Sequence, residues 1–471
     1  MQTFALGTNL FKRVYFPGLV DQLHTQTPEL GLLAKTGRNA WSGADVRIGV
    51  RTTRNRSYRP TSSARERAVL PATGRQGYGV FTLPCVIIHG SGGVTAFGSA
   101  ASQGSESAFV QMLKAEVKGH AADAQKDFGY DFFRTPLNIL GRISVEPDAN
   151  ATRLTLEQDP NNQLVHWRGE GNRAFSTNQL IEIFSQDGVT RRTSTAANTS
   201  FQVTDANPAA NRTQIDILGF DGTAQVAADG VAAAVTLGDL VLRRGSFAAQ
   251  ADPLAGAEAA FAFNGLEQLF ADDTVDIPAR GTSLNYELDV LQGVNRGTAG
   301  NGWARGVVVN LANALMDRNT LNNFIKRVQH RGGSPLDVLL CEDSVQIAVS
   351  DLMVQDQRYE PQKFPGGFEA KALVWNAGSV DVPIVPSREC PYDRLYGFSL
   401  DGVEEFVLQD FELISTDGSP LRQDADGSDS WNYSWRFFGN MGSRKPALGG
   451  KIIQIGGADE GYGVATKVYE F

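Results

Sequence analysis

Cysteine, histidine and lysine are each scarce or missing where a common chemistry would need them. The three cysteines, Cys85, Cys341 and Cys390, stand far apart without CxxC spacing, which argues against a disulfide framework or a cysteine-held zinc and points to folding in a reducing cytoplasm. The five histidines, at 24, 89, 120, 166 and 330, are scattered, with no HExxH or paired spacing to seat a metal. No GxxxxGKS or GxxxxGKT is present and no GxGxxG opens a helix, so phosphates have no glycine cradle. Long apolar runs are also missing, and in the opening MQTFALGTNLFKRVYFPGLVDQ the basic Lys12 and Arg13 follow the first apolar residues, which supports neither a signal peptide nor a membrane span. The expectation is a chain with no catalytic residue, no metal and no cofactor, hence no enzyme, and with no membrane contact.

Two stretches imitate active chemistry. His89-Gly90-Ser91-Gly92-Gly93 has the composition of a hydrolase loop, in which a serine needs a base and backbone donors beside it. It sits in GSGGVTAFGSAASQGS, well ahead of the next helical pattern, so no strand-to-helix elbow presents the hydroxyl and the stretch reads as a connector. DADGSDS, from Asp424, alternates oxygen ligands as a calcium loop does, but its glycine is fourth where the sixth is needed, and Trp435 stands in place of the bidentate Glu. A solvated acidic loop is expected.

What the chain has is length, glycine and unevenly placed arginine. Its 471 residues suffice for about three domains, or two with long insertions. Apolar content of 42%, charge of 20%, and 50 Gly against 19 Pro suggest many turns between extended segments, so a mixed, β-rich α+β fold is expected. Nine arginines fall between Arg38 and Arg75, with no lysine and only Asp45 and Glu66 as acids. That segment is +7 in a chain of −9, which leaves −16 for the rest.

Residues 1–40 read as an N-terminal arm, where LFKRVYFPGLVDQL predicts a short helix after Pro17. Over 41–90, Val46, Ile48 and Val50 alternate with Arg47, Gly49 and Arg51, and Phe81, Leu83, Cys85 and Ile87 alternate on the return. This is a long hairpin with one apolar and one basic face and a tip near 53–76. It has no core of its own. Within 91–136, Phe109, Leu113, Val117, Ala121, Ala124, Phe128 and Phe132 draw a single stripe, predicting one helix from about Glu106 to Phe133, capped by Ser105 and stopped at Thr135-Pro136. Residues 137–255 carry LIEIFS, TSFQVT, TQIDIL and DLVLRR between Asn/Asp/Gly turns, which predicts a small inserted β-barrel or sandwich. Residues 256–300 read as mainly extended. In 301–430, helices are expected at about Trp303–Met316 and Leu321–His330, then the strand LDVLL, the helix EDSVQIAVSDLMVQ, a hairpin of FEAKALVW and VDVPIVP, and strands at RLYGFSL and EEFVLQDFELI. Residues 431–471 return to aromatic strands that rejoin an earlier sheet.

The arginine-rich hairpin needs a negative partner unless it is simply a solvated basic face. Arginine pairs with phosphate and Tyr58 could stack on a base. One aromatic among nine arginines is no interleaved platform, however, and a −16 remainder repels a polyanion. The balance favours docking on an acidic copy of the same chain through Arg47, Arg51, Arg54, Arg56 and Arg59, since arginine suits bidentate carboxylate pairing.

In this order of elements the chain resembles the major capsid proteins of tailed bacteriophages of the Hong Kong 97 type. The resemblance spans nearly the whole chain. It is carried by SESAFVQMLKAEVKGHAADAQKDFGYDFF for a spine helix, and by GGSPLDVLLCEDSVQIAVSDL with VDVPIVPSRECPYDRLYGFSL for an axial domain. It implies that the hairpin is an extended loop lying across a neighbouring subunit, and that 91–136, 256–300 and 431–471 form a peripheral domain. It further implies an axial α/β domain at 301–430 with the barrel of 137–255 inserted. The implied function is self-assembly, in the host bacterial cytoplasm, into pentamers and hexamers of an icosahedral virion shell around double-stranded DNA that the acidic body contacts weakly if at all. Separate scaffolding, portal and decoration proteins fit as partners. Two departures stand out: no lysine lies between Lys35 and Lys114, so the lysine cross-link of some members is not expected, and no long charged helical segment precedes the arm, so no internal scaffolding domain is expected. Two rival readings are an encapsulin-like compartment shell, which shares the fold but is usually shorter and without the barrel, and a β-rich glycan-binding protein resting on Trp167 and Phe175.

Overall fold

A computed structural model of the chain describes residues 31–36, 41, 43, 45–55, 57, 73–95, 124, 127–134, 139–156, 175–185, 190–206, 213–222, 224–244, 263–272, 290–312, 314–352, 359–363, 369–377, 381–387, 389–391, 393–415, 421–423 and 430–456. Strands dominate. β1 (Ala34–Thr36) precedes the hairpin limbs β2 (Asp45–Thr53) and β3 (Gly77–Pro84), and β4 (Val86–Thr95) follows. Then come β5 (Ile139–Arg142), β6 (Arg153–Thr155), β7 (Leu180–Phe184), β8 (Ser200–Asp205), β9 (Gln214–Phe220) and β10 (Leu240–Arg243). The short helix α1 (Leu266–Leu269) leads to β11 (Val290–Leu291), β12 (Val294–Asn295) and β13 (Val307–Asn310). Helix α2 (Arg318–Gly332), β14 (Val338–Cys341), helix α3 (Asp343–Leu352), β15 (Tyr359–Lys363), β16 (Glu369–Asn376), β17 (Asp381–Pro386) and β18 (Leu395–Phe398) follow. The last strands among the described residues are β19 (Glu404–Leu413), β20 (Leu421–Gln423), β21 (Ser430–Gly442) and β22 (Gly449–Ile453).

Seven strands in the order β13-β22-β18-β14-β17-β16-β15 make the largest sheet. Its central strands are apolar on both sides because both sides are covered. Leu339, Cys341 and Leu395 pack with Leu321, Phe324, Ile325 and Val328 of α2 and Val345 and Val349 of α3. Val338, Leu340, Tyr396 and Phe398 face a second core built from Phe81, Phe133, Leu269, Phe270 and Met441. Helix α2 starts where the Asp317 carboxylate accepts from the Thr320 N–H at 2.7 Å and ends at Gly333, whose φ of 74° suits a residue without Cβ. A second sheet runs β1-β19-β21, with β20 and β4 also on β21. Residues 127–132 are helical and lay Phe128 over Phe411, Phe437 and Phe263 of this layer. The third sheet, β5-β10-β7-β8-β9-β6, is antiparallel throughout, and a bridge between Ile143 and Leu156 joins its two edges. Leu140, Leu154, Ile183, Phe201, Ile217 and Val241 fill one core within it.

Several expectations need correction. The helix expected at Trp303–Met316 is a 3-10 turn, Gly302–Ala304, followed by β13, because Val307, Val308 and Val309 find a parallel partner in β22 and branched side chains suit a pleated strand. The expected connector is strand as far as Thr95: Trp435 and Tyr433 of β21 lie over Gly90 and Gly92, where an added Cβ would come within 2.2 Å and 2.4 Å of ring or hydroxyl atoms. Strand pairing also crosses the expected boundary near residue 430, since β19 joins β21, and β22 joins β13 and β18. Most of the expected spine helix, the N-terminal arm before residue 31, the hairpin tip and the acidic loop at 424–429 lie outside the described residues.

Candidate functional site

The hairpin is two-faced by register. β2 and β3 pair Val46 with Leu83, Ile48 with Phe81 and Val50 with Gly79 on one side, and Arg47 with Thr82, Gly49 with Val80 and Arg51 with Tyr78 on the other. The first set faces the body. The Phe81 ring lies tilted against Trp303 with centroids 4.8 Å apart, and Gly79 leaves the indole its room, since a Cβ there would be 2.7 Å from the ring. Val46 and Leu83 pack with Phe406 of β19. The root is fastened twice more: the Thr82 N–H donates to the Gln292 carbonyl at 2.8 Å, and the Asn440 amide donates to the Pro84 carbonyl at 2.9 Å. Further out, Asn55 donates to the Gly74 carbonyl at 3.1 Å and the Gly77 N–H to the Thr53 hydroxyl at 2.6 Å, so the limbs stay side by side beyond the last ladder pair. A register shift between Arg51 and Thr53 adds local twist there.

The second set is the candidate site. The Arg47 side chain is 71% exposed, with Asp45 at 3.3 Å, and Arg51 and Arg54 are exposed as well. Beside them Tyr78 is 73% exposed and Val80 54% exposed. Guanidinium groups interleaved with an aromatic ring and a branched aliphatic form a surface suited to a partner, with arginine and tyrosine the residues most enriched at such contacts. Sequence reasoning picked out Arg47, Arg51 and Arg54 as docking candidates, and the structure shows these three exposed; Tyr78 and Val80, exposed beside them, were not picked out. Their alternation in GYGVF was the available signal. Arg56 and Arg59 lie outside the described residues.

The stretches that imitate catalytic loops supply no site. His89 and Ser91 are exposed positions of β4, and the ring nearest His89 is Phe438, edge-on at 6.2 Å. Phe175 is buried in the core of the six-stranded sheet, which removes it from any glycan surface, and Trp167 lies outside the described residues. Among the described residues no three His, Cys, Asp or Glu side chains gather as a metal would require.

Two ionic clusters are structural. Fully buried Glu267 of α1 accepts from Arg394, from Lys451 at 2.8 Å and from the Tyr396 hydroxyl at 2.7 Å, and Lys451 also donates to the Glu267 carbonyl at 3.0 Å. Asp393 stands 3.3 Å from Arg394, so two carboxylates balance two cations. Burial works against the Arg394 charge, but Glu267 and Asp393 outweigh it and hold its pKa well above the ordinary value, while burial and Glu267 push the Tyr396 hydroxyl well up. The cluster ties α1 to β18 and β22. The second cluster joins the helical residues 127–132 to β10: Arg243 reaches Asp127 at 3.0 Å and Asp131 at 3.8 Å, and Arg134 lies 3.4 Å over the Tyr130 ring. Burial pushes the Asp131 carboxyl up to about 7 despite Arg243, with Asp127 adding to the shift.

No family model matches the chain, and no curated protein matches it. Among solved structures, the chain is similar to the cyanophage A-1(L) capsid, with 9% identity and a TM-score of 0.44 over 91% of this chain and 93% of that one. It is similar to the satellite phage P4 procapsid that includes the size determination (Sid) protein, with 8% identity and a TM-score of 0.36 over 93% and 90%. It is also similar to the SrpI encapsulin of Synechococcus elongatus PCC 7942, with 14% identity and a TM-score of 0.26, and that match covers 33% of this chain and 55% of the encapsulin chain.

Proposed function

We propose that this chain is a structural, non-enzymatic protein, the major capsid protein of a tailed bacteriophage with a Hong Kong 97 type fold, which assembles with copies of itself into the shell of the virion. The observation that carries the reading is the hairpin. Its inner face is seated on Trp303 and Phe406, while its outer face leaves Arg47, Arg51, Tyr78 and Val80 exposed. A strand pair with a basic outer face, on a chain whose remainder is −16, can satisfy that face on another copy of the body. Heterologous contacts of this kind close into rings.

In this reading residues 1–40 are the arm and 41–90 the extended loop. The peripheral domain takes the helical residues 127–132 and the sheet of β19 and β21, and the axial domain takes the seven-stranded sheet with α2 and α3. The Ile143–Leu156 bridge supports treating 137–255 as an inserted small barrel. Scaffolding, portal and decoration proteins would be separate partners. Negative-stain microscopy and sedimentation of the purified full chain test the reading: closed shells, rings or capsomers are expected. A stable monomer at micromolar concentration, across several salt conditions and with a scaffold supplied, would refute it.

A further inference from the structure

The sheet β5-β10-β7-β8-β9-β6 carries at one end an apolar pair that its core does not explain. Leu237 is 58% exposed and Val145 57% exposed. They are neighbours across one ladder. The Ile143 N–H donates to the Asp239 carbonyl and the Gly238 N–H to the Ile143 carbonyl, each at 2.9 Å, so Val145 and Leu237 follow directly beyond that pairing. Glu146 and Asp148, both exposed, continue the Val145 side. Among the described residues neither carboxylate has an ion-pair partner.

The turn that presents Leu237 is fastened from several sides. Asp239 is buried, and its carboxylate accepts from the Thr236 N–H at 2.9 Å, from the Thr236 hydroxyl at 3.3 Å and from Arg192 at 2.8 Å and 3.1 Å. Gly238 takes a φ of 89°, open to a residue without Cβ, and Arg142 donates to its carbonyl at 3.2 Å. On the Val145 side, the Ala151 N–H donates to the Asp148 carbonyl at 3.0 Å and the Asn150 N–H to the Val231 carbonyl at 2.8 Å. A leucine and a valine held out by fixed backbone cannot retreat into the core. Their apolar area stays in water until another surface covers it.

We propose, on the reading of this chain as a shell protein, that this rim receives the outer face of the hairpin from a second copy. The two surfaces match in kind and oppose in sign. The hairpin offers Tyr78 and Val80, 73% and 54% exposed, with Arg51 paired to Tyr78 across the strands and exposed Arg54 beyond it. Among the described residues neither arginine has an ion-pair partner. The rim offers Leu237 and Val145 with Glu146 and Asp148. Docking covers one apolar pair with the other and sets two cations against two carboxylates. Self-pairing is disfavoured on both sides, since two hairpins set arginine against arginine and two rims set carboxylate against carboxylate. The fastened rim is ordered in advance, so less entropy is lost on binding. Rim and hairpin are different patches of one chain, so the contact is heterologous and repeats around a ring.

Particle yield of the full chain, read by sedimentation, tests the contact, with the melting of the unassembled chain as the control on folding. Glu146→Lys/Asp148→Lys should lower the yield about tenfold or more while melting is unchanged. Leu237→Asp should do the same. Adding Arg51→Glu/Arg54→Glu to the two lysines restores the attraction with its signs exchanged, and most of the yield should return. Normal yield from Glu146→Lys/Asp148→Lys, or a charge exchange no better than the lysines alone, would overturn the contact and leave the rim to solvent or to a separate protein, with the shell reading still standing. A wild-type chain that stays monomeric under every condition would overturn both.

Discussion

Replacing Glu267 by alanine should cost more stability than any surface change in this chain. The side chain is fully buried and meets Arg394, Lys451 at 2.8 Å and the Tyr396 hydroxyl at 2.7 Å. Arg394 and Lys451 are equally buried, and water cannot replace the lost carboxylate without opening the core. Breaking one buried pair costs about 3–5 kcal/mol. Asp393, at 3.3 Å from Arg394, offsets part of the loss, so we expect about 4 kcal/mol for Glu267→Ala. Glu267→Gln, which keeps hydrogen bonds and loses charge, should cost about half of that. For a large cooperative unit 1 kcal/mol corresponds to roughly 2–4 °C, so the alanine variant should melt about 8–16 °C lower. The quadruple variant Glu267→Leu/Asp393→Asn/Arg394→Met/Lys451→Met removes all four charges of the cluster and should recover most of the difference. Differential scanning calorimetry with near-ultraviolet circular dichroism reads both effects. An alanine variant melting within about 2 °C of wild type, or a quadruple variant no better than the single one, would refute the reasoning.

Three further outcomes are expected. The Asp131 carboxyl is held near 7 in the fold and near 3.9 in the unfolded chain, so the folded state binds the extra proton and stability falls as pH rises from about 4 to 7, by up to about 4 kcal/mol, then levels off. Asp131→Asn should lose that slope, and a wild-type minus variant difference in melting midpoint that stays constant over this range would count against it. Reversing Arg47, Arg51 and Arg54 to Glu should abolish assembly, read as particle yield, while the melting of the isolated chain is unchanged. Each exposed pair contributes only about 0.2–1 kcal/mol, but a ring repeats the loss, and normal particle yield from the reversed variant would leave the hairpin as a solvated face. Gly90→Val should displace Trp435, since a Cβ would come within 2.2 Å of the indole; a red-shifted tryptophan emission with a loss of about 1–3 kcal/mol is expected, and unchanged emission would contradict the close approach.

Much of the fold was legible wherever a pattern is local. The alternation of Val46, Ile48 and Val50 with Arg47, Gly49 and Arg51 became a paired strand with those two faces, because successive side chains of a strand point to opposite sides. Helix α2 was visible in its apolar spacing and in Gly332-Gly333 at its end. The β-runs between 180 and 243 appeared as β7 to β10, while the shorter β5 and β6 carried too few residues to show a period. The three valines of β13 could not be told from a helix end by period alone.

By itself, then, the sequence determined the alternation of the hairpin strands, the period of α2 with its glycine stop, and the separation of a +7 segment from a −16 remainder. Only the tertiary structure decided which distant residues meet. Glu267 finds Arg394 and Lys451 across 127 and 184 residues, and the basic side of α2 acquires the valines of β13 and the carboxylate of Asp272. Trp435 selects glycine at position 90 through strand pairing alone. Each of these depends on sheet order and register, and an ionic contact or a close ring approach leaves no periodic trace in the chain because it is made through space.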